Sequence, residues 1–174
     1  SAIERLINLN IIHVHCDLIF GLPGESLDDI LKSFEEVCVL LPHELQLGFL
    51  KFLPGAPIKK MITEYGYKYQ STPPYEFISN NNLSASQLNY LKKFEEVFDI
   101  FYNSKRFRFT VHHLFKKLSA VKIFNLLLEH MESNNLFNQP HSLNAQYKII
   151  HDTFTLDKNQ TALDILRLDY LYAQ

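Results

Sequence analysis

The sequence predicts an α/β piece followed by a mainly α-helical domain, and three observations support this fold class. A strand, a helix and a second strand follow one another early in the chain, joined by short turns. A segment rich in Pro, Asn, Ser and Tyr comes next, at 67–82. From residue 84 onward, apolar residues recur at helical spacing. We therefore place the α/β piece at 1–58, a connector with a short hairpin at 59–83, and a helical domain at 84–174.

The α/β piece contains two predicted strands on either side of one helix. Residues 11–20 form a strand that ends in the turn Gly21-Leu-Pro-Gly24. Ser26 is a candidate N-cap of the helix that follows, and Asp29 is placed to complete a capping box. Residues 45–53 form the second strand. Short connections through a helix imply parallel strands, and two strands do not make an independent sheet, so we expect the missing strands upstream.

The remaining helices are predicted from apolar periodicity and from capping residues. A helix is expected at 3–10, before the first strand. The later helices begin at Ser84 with Gln87 completing a capping box, span 112–133 with a break near Ser119, span 143–154 after Ser142, and span 162–172 after Thr161.

Composition is typical of a folded globule, with 47% apolar and 21% charged residues. The net charge of -2 gives no reason to expect nucleic acid or an anionic membrane surface as a partner. The sequence contains no apolar run of the roughly 20 residues that span a bilayer and no signal-peptide pattern, so we expect a cytoplasmic protein with reduced thiols. The chain opens with Ser1 instead of Met, which fits a domain excised from a longer protein.

The first strand carries polar residues on one face only. Alternation places His13, His15, Asp17 and Ile19 on one side, and Ile12, Val14, Cys16, Leu18 and Phe20 on the other. Because ligands bind near the carboxyl ends of parallel strands, the polar face indicates a ligand cavity. Two alternatives stay open. The polar side chains bond only to one another and to neighbouring strands, or His13 and His15 share a metal ion. We assign no metal ligand.

The turn after this strand contains two glycines, Gly21 and Gly24. Such a turn lets a ligand approach the backbone and presents N–H groups at a helix start, although a tight strand-to-helix connection is the alternative. Because Pro23 fixes one φ angle, we expect at least one glycine to have a positive φ. We assign Gly21 to close ligand approach and Gly24 to the left-handed angle.

Two segments of the chain resemble the late strands of the radical S-adenosylmethionine (SAM) barrel. They are DLIFGLPGES at 17–26 and LQLGFLKFLPGAP at 45–57, where Ala56 replaces the family's usual Ser or Thr. Together with His13 and His15, they resemble a narrower branch, often labelled as related to the anaerobic magnesium-protoporphyrin IX monomethyl ester oxidative cyclase. In that branch a cobalamin-binding domain precedes the barrel and a helical domain of unknown function follows it. The helical region ending in LRLDYL at 166–171 resembles that trailing domain.

The resemblance implies the C-terminal part of a radical SAM enzyme, inactive by itself. The parent's cofactors would be SAM, a [4Fe–4S] cluster and cobalamin, and the partners would be the upstream barrel and cobalamin domain of the same protein. The family's CxxxCxxC motif is absent here, so the fragment itself is assigned no cofactor and no catalytic residue. The resemblance also implies that backbone at Ile19, Gly21 and Leu50 contacts the adenosine of SAM, while His15 and Asp17 face the cavity.

Two other functions stay open from the sequence. In one, the helical domain at 84–174 binds a substrate or a partner protein without catalysis. In the other, the chain is a self-standing structural protein in which GLPGES is coincidental. Self-association through the exposed strands is a further expectation. A CxxxCxxC motif in the upstream reading frame supports the enzyme fragment, whereas an initiator Met directly before Ile3 contradicts it.

Overall fold

The computed structural model describes Arg5 and residues 12–173. It confirms the predicted fold class, because a small parallel sheet with its connecting helix precedes a mainly helical region. The chain forms two compact units, Ser1–Lys92 and Lys93–Gln174. Of the helix predicted at 3–10, only Arg5 lies among the described residues. Within those residues, no helix combines the length and the apolar character that crossing a membrane requires.

The α/β piece begins with strand β1 (His15–Phe20), helix α1 (Leu27–Cys38) and strand β2 (Glu44–Phe49). β1 and β2 pair in parallel, as predicted. The capping box is also confirmed, since the Ser26 hydroxyl accepts the Asp29 N–H and the Asp29 carboxylate accepts the Ser26 N–H. These reciprocal bonds satisfy two backbone donors that a helix start otherwise leaves unpaired.

Both strands are shorter than predicted. The first register pair is His15 with Glu44, and the Val14 carbonyl just before it accepts the Glu44 N–H at 3.2 Å. Residues 12–14 lie outside the strand, and residue 11 lies outside the described residues. Beyond Phe49 the chain changes partner. Phe77 donates its N–H to the Leu50 carbonyl at 3.1 Å, and Phe52 donates to the Tyr75 carbonyl at 2.8 Å. The predicted strand end at 50–52 therefore pairs antiparallel with a later segment.

That later segment belongs to a short antiparallel hairpin, which the sequence placed within 59–83. Its strands are β3 (Lys68–Tyr69) and β4 (Phe77–Ser79), and they follow a 3-10 turn (Pro57–Met61) and a short helix α2 (Ile62–Tyr65). The Lys92 ammonium pairs with the Glu76 carboxylate next to β4. Through its pairing with 50–52, the hairpin is attached to the carboxyl end of β2.

The first unit buries the apolar faces of its elements. The alternation predicted for the first strand is confirmed from His13 to Phe20, because Val14 and Phe20 are buried whereas His13, His15 and Asp17 are exposed. Ile12 was predicted on the buried face and is instead 43% exposed, since it lies ahead of the strand. The buried side chains at the core of this unit include Val14, Phe20, Ile30, Phe34, Cys38, Leu45, Leu47, Phe52 and Phe77. Burying apolar surface at this scale is the main stabilising contribution to the unit.

Five longer helices follow the hairpin. They are α3 (Ala85–Phe98), which continues into a π-helical turn at Asp99–Asn103, α4 (Arg108–Phe115), α5 (Ala120–Ser133), α6 (Leu143–Phe154) and α7 (Gln160–Tyr172).

Most of the predicted helix starts are confirmed. Ser84 and Gln87 exchange the capping-box hydrogen bonds, and Ser119 and Ser142 cap α5 and α6. The predicted cap of the last helix, Thr161, is wrong. Asn159 caps α7 by accepting the Ala162 N–H at 3.2 Å. Asparagine is among the strongest N-cap residues, and its position two residues earlier places Thr161 inside the first turn.

Aromatic rings pack against one another within the core of the second unit. Phe98 stacks on Tyr102 with ring centroids 4.7 Å apart and meets Phe124 edge-on at 4.9 Å. Phe107 packs against Phe101 and Tyr147 at 5.2 and 4.6 Å. Such ring pairs add roughly 0.5–1.5 kcal/mol each beyond the burial of their area.

Candidate functional site

The open face of the β1–β2 sheet brings polar side chains from both strands together. His15, Asp17 and Ile19 lie exposed on β1. The parallel register places Glu44 beside His15 and Gln46 beside Asp17. The prediction that His15 and Asp17 share one face of the sheet is therefore confirmed, and β2 extends that face.

His15 lies between two carboxylates. Its Nε2 is 3.0 Å from Asp17 Oδ1, and its Nδ1 is 3.6 Å from Glu44 Oε2. Contacts at both ring nitrogens orient an imidazole, which is how proteins position a histidine that handles protons. All three side chains are between 41% and 61% exposed, so the group is open to whatever covers this face.

The other histidine of the strand has a different neighbour. The His13 ring lies 5.2 Å from the His43 ring, and His43 Nδ1 accepts the Val14 N–H at 3.1 Å. Within 12–173, no group of three or more His, Cys, Asp or Glu side chains is arranged to hold a metal ion. The His43 ring is thus a hydrogen-bond acceptor for the backbone just before β1.

The turn after β1 has the predicted backbone geometry. Gly21 and Gly24 have φ angles of 89° and 80°, so the expectation that at least one of them has a positive φ is confirmed, as is the positive angle assigned to Gly24. Gly21 is nevertheless buried. Its N–H donates to Glu25 Oε2 at 3.1 Å, and its carbonyl accepts the Tyr67 hydroxyl at 2.7 Å. A methyl group on Gly21 would overlap the Phe77 ring, whose Cε2 would be only 2.9 Å away.

Gly21 therefore contacts the chain's own hairpin on the side where a side chain would project. Tyr67 precedes β3 and Phe77 opens β4, so both covering rings come from the hairpin. Phe77 is fully buried. The adenosine contact assigned to Gly21 stays a prediction, and the structure gives this glycine a packing reason of its own.

The backbone of Leu50 is also engaged within the chain. Its N–H donates to the Phe20 carbonyl at 3.0 Å, and its carbonyl accepts the Phe77 N–H. Ile19, by contrast, is 43% exposed on the open face. Of the residues that the resemblance assigns to the cavity, His15, Asp17 and Ile19 are accessible, whereas Gly21 and Leu50 lie beneath the hairpin.

Glu25 fixes the shape of the turn. Its carboxylate accepts the N–H groups of both Gly21 and Leu22, at 3.1 and 3.2 Å. Burial raises the pKa of the Glu25 carboxyl above its ordinary value, although these two hydrogen bonds act in the opposite direction. Glu25 thus closes the turn on itself, and the N–H donors of Gly21 and Leu22 are not left for a ligand.

The two thiols do not fit the ligand set of an iron–sulfur cluster. A [4Fe–4S] cluster needs several clustered thiolates, and this chain has only Cys16 and Cys38. Burial raises the pKa of both thiols, with Asp17 adding to the effect at Cys16 and Glu35 at Cys38. Both therefore favour the protonated form, which is the poorer ligand.

The described residues of the helical unit line at least two cavities. An apolar groove of about 590 Å³ lies along α6 and α7 and is lined by Tyr147, Lys148, His151, Leu166, Arg167, Tyr170 and Leu171. A second cavity of about 410 Å³ is lined by Ser104, Lys105, Arg106, Arg108, Asp169, Tyr172 and Ala173.

Comparison with known protein families places the chain in one family. Residues 63–174, more than half of the chain, match a family described as a protein of unknown function (DUF4080). The chain belongs to this family, which is known as a C-terminal domain in cobalamin/radical SAM proteins. No curated protein matches the chain. The match begins before β3, so the family includes the hairpin that covers Gly21.

Several residues of this region were not predicted from the sequence. Glu44 and Gln46 could have been found from the alternation of ELQLGF on the second strand, which mirrors that of the first. Glu25 follows the turn by one residue and carries no such pattern. Tyr67 and Phe77 lie about fifty residues beyond Gly21, in a segment predicted to be a connector, and nothing local marks their contact with the turn.

Proposed function

We propose that this chain is the C-terminal part of a cobalamin-type radical SAM enzyme and that the open face of β1 and β2 lines that enzyme's reaction cavity. The observation that carries the proposal is the row of exposed polar groups, His15 held between Asp17 and Glu44, on two parallel strands that lack neighbours within the described residues. The family membership supports the same parent.

In this proposal the fragment contributes side chains and not the radical chemistry. The parent's upstream strands would supply the three cluster cysteines, and SAM bound there would supply the radical. His15 would accept or hold a proton at the cavity wall, oriented by Asp17 and Glu44. The hairpin would close the carboxyl end of the two strands over Gly21 and keep water from that side.

The first test concerns the cluster. We expect the isolated chain, after anaerobic reconstitution with iron and sulfide, to show no stoichiometric cluster absorbance and no cleavage of SAM, because clustered thiolates are missing. The chain extended upstream through the natural reading frame should gain both signals. A stable cluster on the isolated chain, or none on the extended chain, would contradict the proposal.

The second test concerns the cavity face in the extended protein. Asp17→Ala should weaken SAM or substrate binding by about tenfold, as expected for losing a hydrogen bond that orients a charged group, while unfolding changes little. Gln160→Ala, an exposed position in α7, is the matched control and should leave binding unchanged. If Asp17→Ala instead unfolds the sheet with unchanged ligand affinity, Asp17 has only a structural role.

A second candidate function is a binding module without catalysis. The observation that favours it is the apolar groove along α6 and α7, whose volume lies in the range of small-molecule sites. If the chain is such a module, Leu166→Ala should weaken the binding of an apolar small molecule, and Asp17→Ala should leave that binding unchanged.

A further inference from the structure

The second cavity of the helical unit is unusually rich in positive charge. It lies between the segment 104–108 and the last turn of α7, with a volume of about 410 Å³. We propose that this cavity binds the phosphate group of a small organic phosphate. This inference concerns the helical unit alone and does not depend on the function proposed for the sheet.

Three of four consecutive residues in the lining segment are cations, Lys105, Arg106 and Arg108. The one carboxylate in the lining is Asp169, which is buried. Its two oxygens accept the N–H groups of Phe109 and Thr110 at 3.1 and 2.8 Å. Both carboxylate oxygens are therefore hydrogen-bonded to the first turn of α4. The lining therefore combines two guanidinium groups and the Lys105 ammonium with a carboxylate that already accepts two hydrogen bonds.

The ion pairs between side chains that the structure describes include none with Arg106 or Arg108. The Arg106 guanidinium donates instead to the neutral Gln146 Oε1 at 3.1 Å. A guanidinium presents several donors in a planar fork that matches phosphate oxygens, so both side chains keep capacity for an anion.

The backbone that carries these cations is held in place. The Ser104 hydroxyl donates to the Ile100 carbonyl at 2.6 Å and accepts the Arg106 N–H at 3.3 Å. The Tyr147 hydroxyl donates to the Arg106 carbonyl at 2.9 Å. Burial raises the pKa of Tyr147 to about 12, so this donor stays protonated at neutral pH. A segment fixed in advance loses less conformational freedom when a ligand binds.

Part of the positive charge has a structural explanation, but not all of it. The Arg108 guanidinium lies over the rings of Phe109 and Tyr172, at 4.4 and 5.6 Å from their centroids. The last turn of α7 also presents partial negative charge, equivalent to about half an elementary charge. Neither interaction involves the Arg106 guanidinium, which contacts the neutral Gln146.

The nearby cations also influence the pKa of His112. The pKa of His112 is lowered first by partial burial and then by Lys105, while Asp169 acts in the opposite direction. Lys116 and Arg108 lower it further. The Asp169 carboxylate therefore does not offset the effect of the surrounding cations on the His112 pKa.

The size and rim of the cavity indicate a small ligand. Its volume lies within the range of small-molecule sites, and the Tyr172 ring at its edge is 70% exposed. Phosphate fits the two arginines, and the exposed ring offers a flat apolar surface for the organic part.

The test is an NMR titration of the full 174-residue chain with phenyl phosphate, with phenol and pyrophosphate as separate probes. We expect phenyl phosphate and pyrophosphate to shift the amides of 104–108 and 169–173, and phenol to shift neither. Arg106→Gln and Arg108→Gln should each weaken phenyl phosphate binding by at least about tenfold, the usual effect of losing a charge-assisted hydrogen bond. Arg108→Lys, which keeps the charge and loses the fork, should weaken it less.

The matched control is Lys122→Gln. Lys122 is an exposed cation on α5 that lines neither cavity, and its loss should leave the affinity unchanged. Three outcomes would overturn the proposal: no shift at 104–108 in the unmodified chain, equal shifts at lysines across the surface, or equal weakening by Lys122→Gln and Arg106→Gln. Because the titration maps the binding site on the unmodified chain, the proposal can be tested even if one of the variants fails to fold.

Discussion

Replacing Gly21 by alanine should destabilise the first unit by about 2–5 kcal/mol. The positive φ of 89° costs a residue with a Cβ about 1–2 kcal/mol. The added methyl group would overlap the buried Phe77 ring, and forcing extra volume into a packed core typically costs about 1–3 kcal/mol more. The measurement is denaturant-dependent hydrogen exchange at the amides of β1 and β2, which reports the free energy of unfolding of this unit.

Gly55 supplies the matched control for this prediction. Its φ is 80°, yet a Cβ there would meet no atom within 4 Å. Gly55→Ala should therefore cost only the backbone strain, about 1–2 kcal/mol. In a chain that already carries Phe77→Ala, the additional cost of Gly21→Ala should fall to the same value. Equal losses from Gly21→Ala and Gly55→Ala in the otherwise unchanged chain would show that the Phe77 contact is not what requires glycine.

This contact also changes how the turn motif is interpreted. In GLPGES the sequence predicts flexible glycines, and the positive φ angles follow from the short path between β1 and α1. Whether a ligand or the chain itself occupies the space over Gly21 depends on residues about fifty positions away. Local patterns carry no information about such a contact, and therefore the hairpin could be placed from sequence but its packing on the turn could not.

The strands show the same division between local and distant effects. Alternation in the first strand correctly separates His15 and Asp17 from Val14 and Phe20, because the two faces of a strand differ in burial. The predicted strand end at 53 is wrong, and within the described residues the first strand begins only at His15, since a strand extends only as far as it has a partner. β2 provides that partner for β1 from Glu44 onward, and the hairpin takes over at Leu50.

The helical unit was predictable to the extent that its helices are capped locally. Ser119 and Ser142 each bond to a backbone N–H three residues on, which sequence spacing detects. The start of α4 has no such local cap and could not be detected from sequence spacing. No side chain of its own caps it; the cap comes from Asp169, about sixty residues later on α7. The cationic cavity follows from that arrangement, because it commits the only lining carboxylate to the helix.

The Asp169 cap should be the most sensitive polar position of the helical unit. Asp169→Ala removes the acceptor of two backbone N–H groups, at Phe109 and Thr110, and we expect a loss of about 2–4 kcal/mol in the unfolding free energy of this unit. Asp169→Asn keeps one acceptor oxygen and should lose about half as much. Asp164→Ala on the same helix is the control. Its carboxylate forms a solvent-exposed ion pair with Arg167, so the loss of unfolding free energy should stay within about 0.5 kcal/mol.

The pH dependence of this cap has a definite sign. Burial raises the pKa of the Asp169 carboxyl above its ordinary 3.8, and this outweighs the opposing hydrogen bonds from Thr110 and Phe109 and the attraction of Arg108. The folded state then holds the proton more tightly than the unfolded state, so the contribution of this titration to stability is greatest below 3.8 and is lost as pH rises through the raised pKa. The stability difference between the unmodified chain and Asp169→Asn should accordingly shrink across that interval. A difference that grows with pH would mean that the hydrogen bonds to the carboxylate outweigh its burial.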